Sequence, residues 1–184
     1  KAAFTMRSLD AHGMPVGEVK QAQWESYIPP TAKVKARMNG TFNAAGELVA
    51  ADTQEPSAGA FKATAGGISG VTRGRVLSNL PLMEDFNSFQ ANVPHESEEG
   101  VVFAYTPLPW IGARFKWEVR EVDGEKCLVK TTDNKLFQRA ATFIGHPDMQ
   151  DYTMEADVMS EGNKRKMSEV GLINQRYIIV LKGS

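Results

Sequence analysis

The segment GAFKATAGGISGVTRGRVL, residues 59–77, decides the fold of the first part of the chain. It consists of two extended stretches, residues 59–65 and 68–77, separated by Gly66-Gly67. A Gly-Gly pair supplies the positive φ values that a tight two-residue turn needs, so the segment predicts a β-hairpin. About six short strands are expected in the first 78 residues, with no helical period among them. This spacing predicts a small β-sandwich.

Turn-forming residues divide the sequence before this hairpin into short elements. Pro29-Pro30 closes the segment around Trp24, because a double proline neither continues a helix nor lies in a central strand. We expect residues 31–37 to form another extended stretch, and we expect turns at Asn39-Gly40 and at residues 43–46. The 16 glycines and 9 prolines of the chain favour such an alternation of turns and short strands.

Four short motifs follow one another in the same region. They are D-A-H-G-M-P-V at residues 10–16, W-E-S at 24–26, A-G-E-L-V at 45–49 and the hairpin of residues 58–76. In this order they resemble the motifs of bacterial Ig-like domains of the invasin and intimin type. The resemblance implies an Ig-like domain over residues 1–78, with Trp24 in its core. Members of that family mostly serve as spacers and adhesive stalks.

The composition shifts toward aromatic and charged residues after a linker at residues 79–84. Residues 90–110 contain Pro94, Pro107 and Pro109 and an acidic run. They predict a long loop, with one strand near residues 100–105. We therefore expect a second structural unit over residues 85–184.

Three further patterns predict strands in this second half. Residues 115–120 alternate between apolar and polar side chains, Asp123-Gly124 predicts a turn, and residues 126–130 predict the returning strand. Residues 152–158 alternate as well, which predicts a strand with one face in the core. Residues 170–181 are nearly all apolar and predict either a buried strand or a tightly joined pair of strands.

The second half also carries motifs in a recognisable order. These are E-D-F at residues 84–86, W-E-V at 117–119, D-Y-T-M-E-A-D-V at 151–158 and G-L-I-N-Q-R-Y at 171–177. The order resembles the first part of concanavalin-like lectin and glucanase jelly rolls. The resemblance implies an all-β protein in which an Ig-like sandwich is followed by a jelly roll that lacks its later strands. An open sheet edge is then expected to invite pairing or aggregation.

The pairing of the two domains is similar to the region that follows a PQQ-like β-propeller in exported bacterial proteins. Residues 136–139 and 165–171 contribute to this likeness. It implies a location in the periplasm or on the cell surface, and a neighbouring propeller or other envelope protein as a partner. A PQQ-like name describes a fold and does not establish a cofactor.

Charge and motif content exclude several other classes of function. With 21 Lys and Arg against 22 Asp and Glu, no global field would draw the chain to nucleic acid. No apolar run approaches the length of a membrane span. His12, His95 and His146 are far apart in the sequence and lack metal-ligand spacing, and Cys127 is expected to be a buried, inert thiol. No cofactor is expected, apart from the structural calcium that concanavalin-like domains often carry.

The candidate site residues follow from these patterns and resemblances. Trp110 and Tyr105 are candidates for stacking on a sugar ring, because a flat aromatic side chain can face the apolar side of a pyranose. Asp85 and Asp133 are the candidate calcium ligands. No catalytic residue is assigned. Glu155 and Asp157 share a predicted strand face, but Ser160 stands where the glucanase pattern requires a further glutamate. The expected core residues are Trp24, Phe61, Trp117 and Tyr152.

The leading interpretation is a non-catalytic binding or scaffolding segment of a larger exported envelope protein, with carbohydrate as the candidate ligand. A glycan-active hydrolase of the glucanase or keto-disaccharide hydrolase type is the first alternative. A purely structural subunit, whose open edge accepts a strand from a partner, is the second alternative.

Overall fold

The computed structural model describes residues 1–43, 45–52, 55–131, 140–160 and 168–182 of the chain. Within these residues the protein is all-β, with fourteen strands and no helix, and every strand pair is antiparallel. The chain divides into two compact units, Lys1–Gly145 and His146–Ser184. The predicted all-β class is therefore confirmed.

Eight strands form three small sheets before residue 78. The sheets have the orders β1-β6-β5, β2-β3 and β4-β7-β8. The strands are β1 (Ala2–Ala3), β2 (Met6–Leu9), β3 (Pro15–Val19), β4 (Gln23–Tyr27), β5 (Gly40–Phe42), β6 (Glu47–Ala50), β7 (Ser57–Ala65) and β8 (Ile68–Val76).

The hairpin predicted from Gly66-Gly67 is the longest element of these sheets. β7 and β8 pair over nine positions, from Ser57 with Val76 to Ala65 with Ile68. Gly66 and Gly67 have φ values of 54° and 82°, the left-handed conformation that a two-residue hairpin turn requires. The prediction of this hairpin is confirmed.

Two local predictions in this region are wrong. Asn39-Gly40 is not a turn, because Gly40 opens β5 and pairs with Ala50. Residues 31–37 form no strand. The amide of Ala32 instead donates to the carbonyl of Pro29 (2.9 Å), which turns the chain after the double proline and leaves the segment without a strand partner.

An aromatic core joins the β4-β7-β8 sheet to the β1-β6-β5 sheet. Phe61 is only 1% exposed, and its ring lies edge-on to that of Phe42 with centroids 5.0 Å apart. The half-buried Trp24 stacks on Phe42 at 4.8 Å. The other members of the core are Phe4, Met38, Leu48 and Val76.

A four-stranded sheet with the order β12-β11-β10-β9 follows in the same unit. The predicted hairpin is confirmed, with Asp123 and Gly124 at φ values of 52° and 86° in the turn between β11 and β12. The strands are β9 (Val93–Pro94), β10 (Val102–Tyr105), β11 (Trp117–Val122) and β12 (Glu125–Lys130).

The second unit contains one described hairpin, formed by β13 (Glu169–Asn174) and β14 (Tyr177–Lys182). Residues 170–181 are thus a tightly joined pair of strands. They are not a buried strand, because the five apolar residues of β14, at positions 177–181, are 43–70% exposed.

Residues 152–158 do not form the predicted strand. They make no ladder, and Tyr152 instead reaches Asn174 through its hydroxyl group, which donates to Oδ1 over 2.9 Å. The alternation of burial ends after Met154, since Ala156 and Val158 are exposed. A period of two in the sequence was insufficient here, because none of the described strands lies beside the segment to receive its backbone hydrogen bonds.

Candidate functional site

An open pocket of about 340 Å³ lies against the β9–β12 sheet. One wall comes from the loop before β9, and the other comes from β11 and β12. The lining is mixed, with one aromatic ring, both signs of charge and one amide side chain. Its residues are Phe89, Gln90, Ala91, Val119, Arg120, Glu121 and Lys126.

The pairing of β11 with β12 determines which side chains face this pocket. Glu121 is the cross-strand partner of Lys126, so their side chains share one face of the sheet. Val119 is on the same face because it lies two residues before Glu121, and it is 2% exposed. The base of the pocket is therefore apolar at Val119, and the charged groups of Glu121 and Lys126 lie at its edge.

A group of three aromatic rings forms the loop side of the site. The ring of Phe86 lies 6.1 Å from that of Phe89 and 5.8 Å from that of Trp110. Phe86 has a positive φ of 59°, and the amide of Phe89 donates to its carbonyl over 3.0 Å. This turn places the ring of Phe89 in the lining of the pocket. Trp110 contacts Phe86, which in turn contacts Phe89.

Polar contacts hold the same turn against β12. Asp85 accepts hydrogen bonds from the backbone amide and the side-chain amide of Asn87, both at 2.9 Å. These bonds lower the pKa of the Asp85 carboxyl, with the backbone bond as the largest cause. The Nζ group of Lys126 donates to the carbonyl of Asn87 over 3.0 Å. Lys126 thus joins the loop wall of the pocket to its strand wall.

A second polar cluster, which we call the β11 network, lies on the opposite face of the sheet. Glu118 and Arg120 alternate with Val119, so their side chains leave the strand on the face opposite to Val119, although Arg120 is also among the residues that line the pocket. Arg120 donates to Glu118 Oε2 from Nε over 2.8 Å and to Glu98 Oε2 from Nη1 over 2.9 Å. His95 Nε2 lies 3.4 Å from Glu118 Oε1. The network joins the loop after β9 to the centre of the sheet.

The electrostatics of the β11 network favour a charged Arg120. Partial burial works against the guanidinium charge, but the hydrogen bonds to Glu118 and Glu98 outweigh that effect. The pKa of Arg120 is consequently raised above its ordinary value.

The two predicted sugar-stacking residues occupy different positions. Trp110 is half-buried and belongs to the aromatic group behind the pocket. Tyr105 is also half-buried, but it pairs with Glu118 across the strands and so lies on the face of the β11 network. Its ring makes an edge contact with Phe103 at 5.4 Å. The structure therefore gives these two residues different ring partners and does not place them in one aromatic platform.

The expected core residues are all at least half-buried. Phe61 and Trp24 belong to the aromatic core of the first sheets. Trp117 begins β11, and Tyr152 packs in the second unit with its hydroxyl group bound to Asn174. Cys127 is half-buried within β12.

Of the two candidate calcium ligands, only Asp85 lies within the described structure. Both carboxylate oxygens of Asp85 accept hydrogen bonds from Asn87, and Asp133 lies outside the described residues. Across the described residues, no group of three His, Cys, Asp or Glu side chains has an arrangement that could hold a metal ion. Glu155 and Asp157 are exposed in a segment without strand pairing.

Phe89, Gln90 and Lys126 were not identified from the sequence as site residues. The only local signal was the spacing of Phe86 and Phe89, which are three residues apart in a turn-rich segment. The β11 network was missed as well, because the alternation of residues 115–120 predicts a strand but does not show what covers its polar face. In the structure Glu118 is buried, since the loop carrying His95 and Glu98 covers that face.

Two further observations concern membrane-spanning helices and similarity to known proteins. The described residues include no helix with the length and apolar character needed to cross a membrane. No protein-family model, curated protein or solved structure matches the chain.

Proposed function

We propose that this chain is a binding and scaffolding segment of a larger exported envelope protein, and that its pocket binds a carbohydrate. The observation that carries this proposal is the lining of the pocket, where the ring of Phe89 lies with Gln90, Glu121 and Lys126. A sugar presents an apolar face to an aromatic ring and hydroxyl groups to polar side chains.

The size and charge of the pocket favour a short, uncharged saccharide. Its volume of about 340 Å³ is at the lower end of the usual range for ligand pockets. The third charged lining residue, Arg120, is paired with Glu98 and Glu118. Glu121 and Lys126 balance each other in charge and lie on paired strand positions. Together they offer a hydrogen-bond acceptor and a donor without a net field that would select an ionic ligand.

A glycan array followed by calorimetry on the full chain tests this proposal. We expect saturable binding of at least one neutral saccharide, and we expect Phe89→Ala to abolish it. Trp110→Ala should weaken binding by loosening Phe86, and thereby the Phe89 turn. Phe115→Ala is the matched control, because Phe115 is 65% exposed and is not a lining residue. Binding that survives Phe89→Ala unchanged would place the ligand elsewhere.

Hydrolysis of a glycosidic bond by the same chain is the less supported alternative. It needs two carboxyl groups held at a defined separation across a sugar. Glu155 and Asp157 are both exposed and lie in a segment without strand pairing, so nothing in the described structure holds them in a groove. No reducing sugar should be released from any saccharide that the array identifies.

One observation favours a second candidate function, in which the chain accepts a strand from a partner. β14 has β13 on one side and no described strand on the other, and its apolar residues are exposed on both faces. Such an edge can form backbone hydrogen bonds with an added strand. Sedimentation of the chain over a range of concentrations tests this candidate, since strand addition between copies would raise the mean mass with concentration.

A further inference from the structure

Ser97, His95 and Glu118 form a continuous line of polar contacts on the β11 network face. Ser97 Oγ lies 3.2 Å from His95 Nδ1, and His95 Nε2 lies 3.4 Å from Glu118 Oε1. This line is separate from the proposed carbohydrate pocket, because Glu118 projects from the sheet face opposite to Val119 and Glu121.

The hydrogen bonds around His95 determine which ring nitrogen carries the proton. The backbone amide of Ser97 donates to His95 Nδ1 over 3.3 Å, and a backbone amide can only be a donor. Nδ1 is therefore an acceptor, and in the neutral imidazole the proton belongs to Nε2, which faces the carboxylate of Glu118. The single lone pair of Nδ1 is then shared between the backbone amide and the hydroxyl group of Ser97.

Burial and secondary contacts hold the base, whereas Ser97 itself is an exposed residue. The side chains of His95 and Glu118 are 9% and 11% exposed. Arg120 fixes the second oxygen of Glu118 at 2.8 Å. The edge of the His95 ring also packs against Phe103, with centroids 6.0 Å apart.

The loop that carries Ser97 is tied at both ends. His95 donates its amide to the carbonyl of Val101 over 2.9 Å, and Val101 donates to the carbonyl of Glu98 over 3.2 Å. Gly100 has a φ of 78°, which permits the reversal between β9 and β10. Ser97 therefore lies near the tip of a short closed loop whose base is anchored to the sheet.

From this geometry we propose that Ser97 is a nucleophile activated by His95, and that it accepts an acyl group from a carboxylic ester. An exposed hydroxyl group, a buried base within hydrogen-bond reach and a carboxylate that orients the base are the elements that such activation requires. Glu118 acts as a positioning residue in this arrangement, because it touches His95 and not the ester.

The reaction proceeds in two balanced steps. The oxygen of Ser97 attacks the ester carbonyl carbon, its proton moves to His95 Nδ1, and the bond to the alcohol oxygen breaks as that oxygen takes the proton from His95. The products are an alcohol and acyl-Ser97. Water then attacks the acyl carbon, passes a proton to His95 Nδ1, and the serine oxygen recovers that proton as the carboxylic acid leaves.

The direct test uses a fluorophosphonate probe and 4-nitrophenyl acetate on the full chain. The serine oxygen displaces fluoride from the probe, so we expect mass spectrometry to find the label on the peptide that contains Ser97. We expect Ser97→Ala to abolish both labelling at this position and the initial burst of 4-nitrophenol. Ser88→Ala is the matched control, because Ser88 is likewise exposed and has no recorded contact with a histidine in the described structure.

Two further variants separate activation from a structural role. His95→Gln should slow labelling about 100-fold, which is the low end of what a positioned base contributes. Because that variant removes a buried side chain, nitrogen NMR of the unaltered protein provides an independent measure, and it should show an unprotonated Nδ1 and a protonated Nε2. Glu118→Gln should reduce labelling and alter this tautomer balance, whereas Glu118→Asp should restore part of both.

Several results would overturn the assignment. Labelling of Ser97 no faster than that of Ser88, a burst that persists in Ser97→Ala, or a protonated Nδ1 would each show that the three residues form only a structural turn. Loss of saccharide binding in Phe89→Ala does not bear on this reaction, and the two proposals can therefore fail separately.

Discussion

Glu118 and Arg120 lie two residues apart on one face of β11, and Nε of Arg120 donates to Oε2 of Glu118 over 2.8 Å. The same guanidinium also binds Glu98, which is 22 residues away in the sequence and belongs to the loop after β9. One side chain therefore connects a strand at the centre of the sheet with the loop that carries Ser97.

Replacing Arg120 should destabilise the protein through the carboxylate that it leaves behind. We expect Arg120→Ala to lower the free energy of unfolding by about 2–3 kcal/mol, because the side chain of Glu118 is largely buried and loses its strongest donor. Urea unfolding provides the measurement. Arg73→Ala, at an exposed position of the edge strand β8, should change it by less than about 0.5 kcal/mol.

A double variant distinguishes this cause from a simple loss of packing. Arg120→Met with Glu118→Leu removes both charges and should recover most of the lost stability, since apolar residues of similar size can replace a buried ion pair. Equal destabilisation by the single and double variants would mean that the ion pair is not the source of the effect.

The local chemistry of turns explains most of what could be predicted from the sequence. Gly66-Gly67 and Asp123-Gly124 produced the expected hairpins because their positive φ values are required by the turn itself. The turn predicted at Asn39-Gly40 is wrong because Gly40 pairs with β6, and no neighbouring residue in the sequence indicates this pairing. The strand predicted at residues 152–158 failed for the converse reason, since these residues alternate correctly but have no partner among the described strands.

The candidate sites depended on contacts that are distant in the sequence, and they were less accessible to prediction. Lys126 reaches the carbonyl of Asn87 across 39 residues, and His95, in the β9–β10 connection, reaches Glu118 in β11. A pattern within one strand can show that Glu118 and Val119 face opposite ways. It cannot show that a loop covers the Glu118 face, and for that reason both the pocket and the β11 network were found only in the structure.

The core should be most sensitive at Phe61. We expect Phe61→Ala to lower the free energy of unfolding by about 3–5 kcal/mol, because this fully buried ring contacts Phe42 and its removal leaves a cavity. Phe115→Ala is the matched control, with an expected change within about 0.5 kcal/mol because Phe115 is exposed. Chemical unfolding followed by tryptophan fluorescence would compare the two. Similar losses in both variants would contradict the assignment of Phe61 to the core centre.

The carboxyl group of Asp85 should titrate below the ordinary value of an aspartate, about 3.9. Its two bonds from Asn87 favour the ionised form, and the lowered pKa of the folded state means that this group stabilises the fold above about pH 4. That contribution is lost as the pH falls through the lowered pKa. Carbon NMR of the carboxyl group measures the midpoint directly, and Asn87→Ala should raise it. Because Asn87→Ala keeps the backbone amide, an unchanged midpoint in this variant would show that the side-chain bond from Asn87 does not form in solution.

Gly59 and Gly74 face each other across β7 and β8, beneath the buried side chain of Met38. A Cβ atom at Gly59 would overlap the backbone nitrogen of Met38, whereas one at Gly74 would meet the movable sulfur atom of Met38 at 2.9 Å. We therefore expect Gly59→Ala to cost about 1–3 kcal/mol and Gly74→Ala to cost less. Gly70→Ala is the control, because it has open space and should be neutral or slightly stabilising. A different order in thermal unfolding would mean that Met38 does not pack over this pair.

The edge of β14 that has no described neighbour should control association between chains. Asn174 and Tyr177 flank the two-residue turn and form a hydrogen-bonded pair, and bonded and non-bonded pairs alternate from there along the hairpin. The backbone groups of Tyr177, Ile179 and Leu181 therefore point toward β13. The amides of Ile178 and Val180 consequently point to the unpaired side. We expect Val180→Pro to reduce concentration-dependent association while preserving the hairpin, since it removes only an outward donor.

Ile179→Pro is the informative counterpart of Val180→Pro, because it removes an amide that binds β13 and should disrupt the hairpin itself. Sedimentation velocity would measure association, and amide exchange at Leu172 would report whether the hairpin persists. If association is unchanged in Val180→Pro while Leu172 stays protected, contacts other than the β14 edge hold the copies together. If association falls only when protection at Leu172 is also lost, an intact hairpin is required but its outward amides are not.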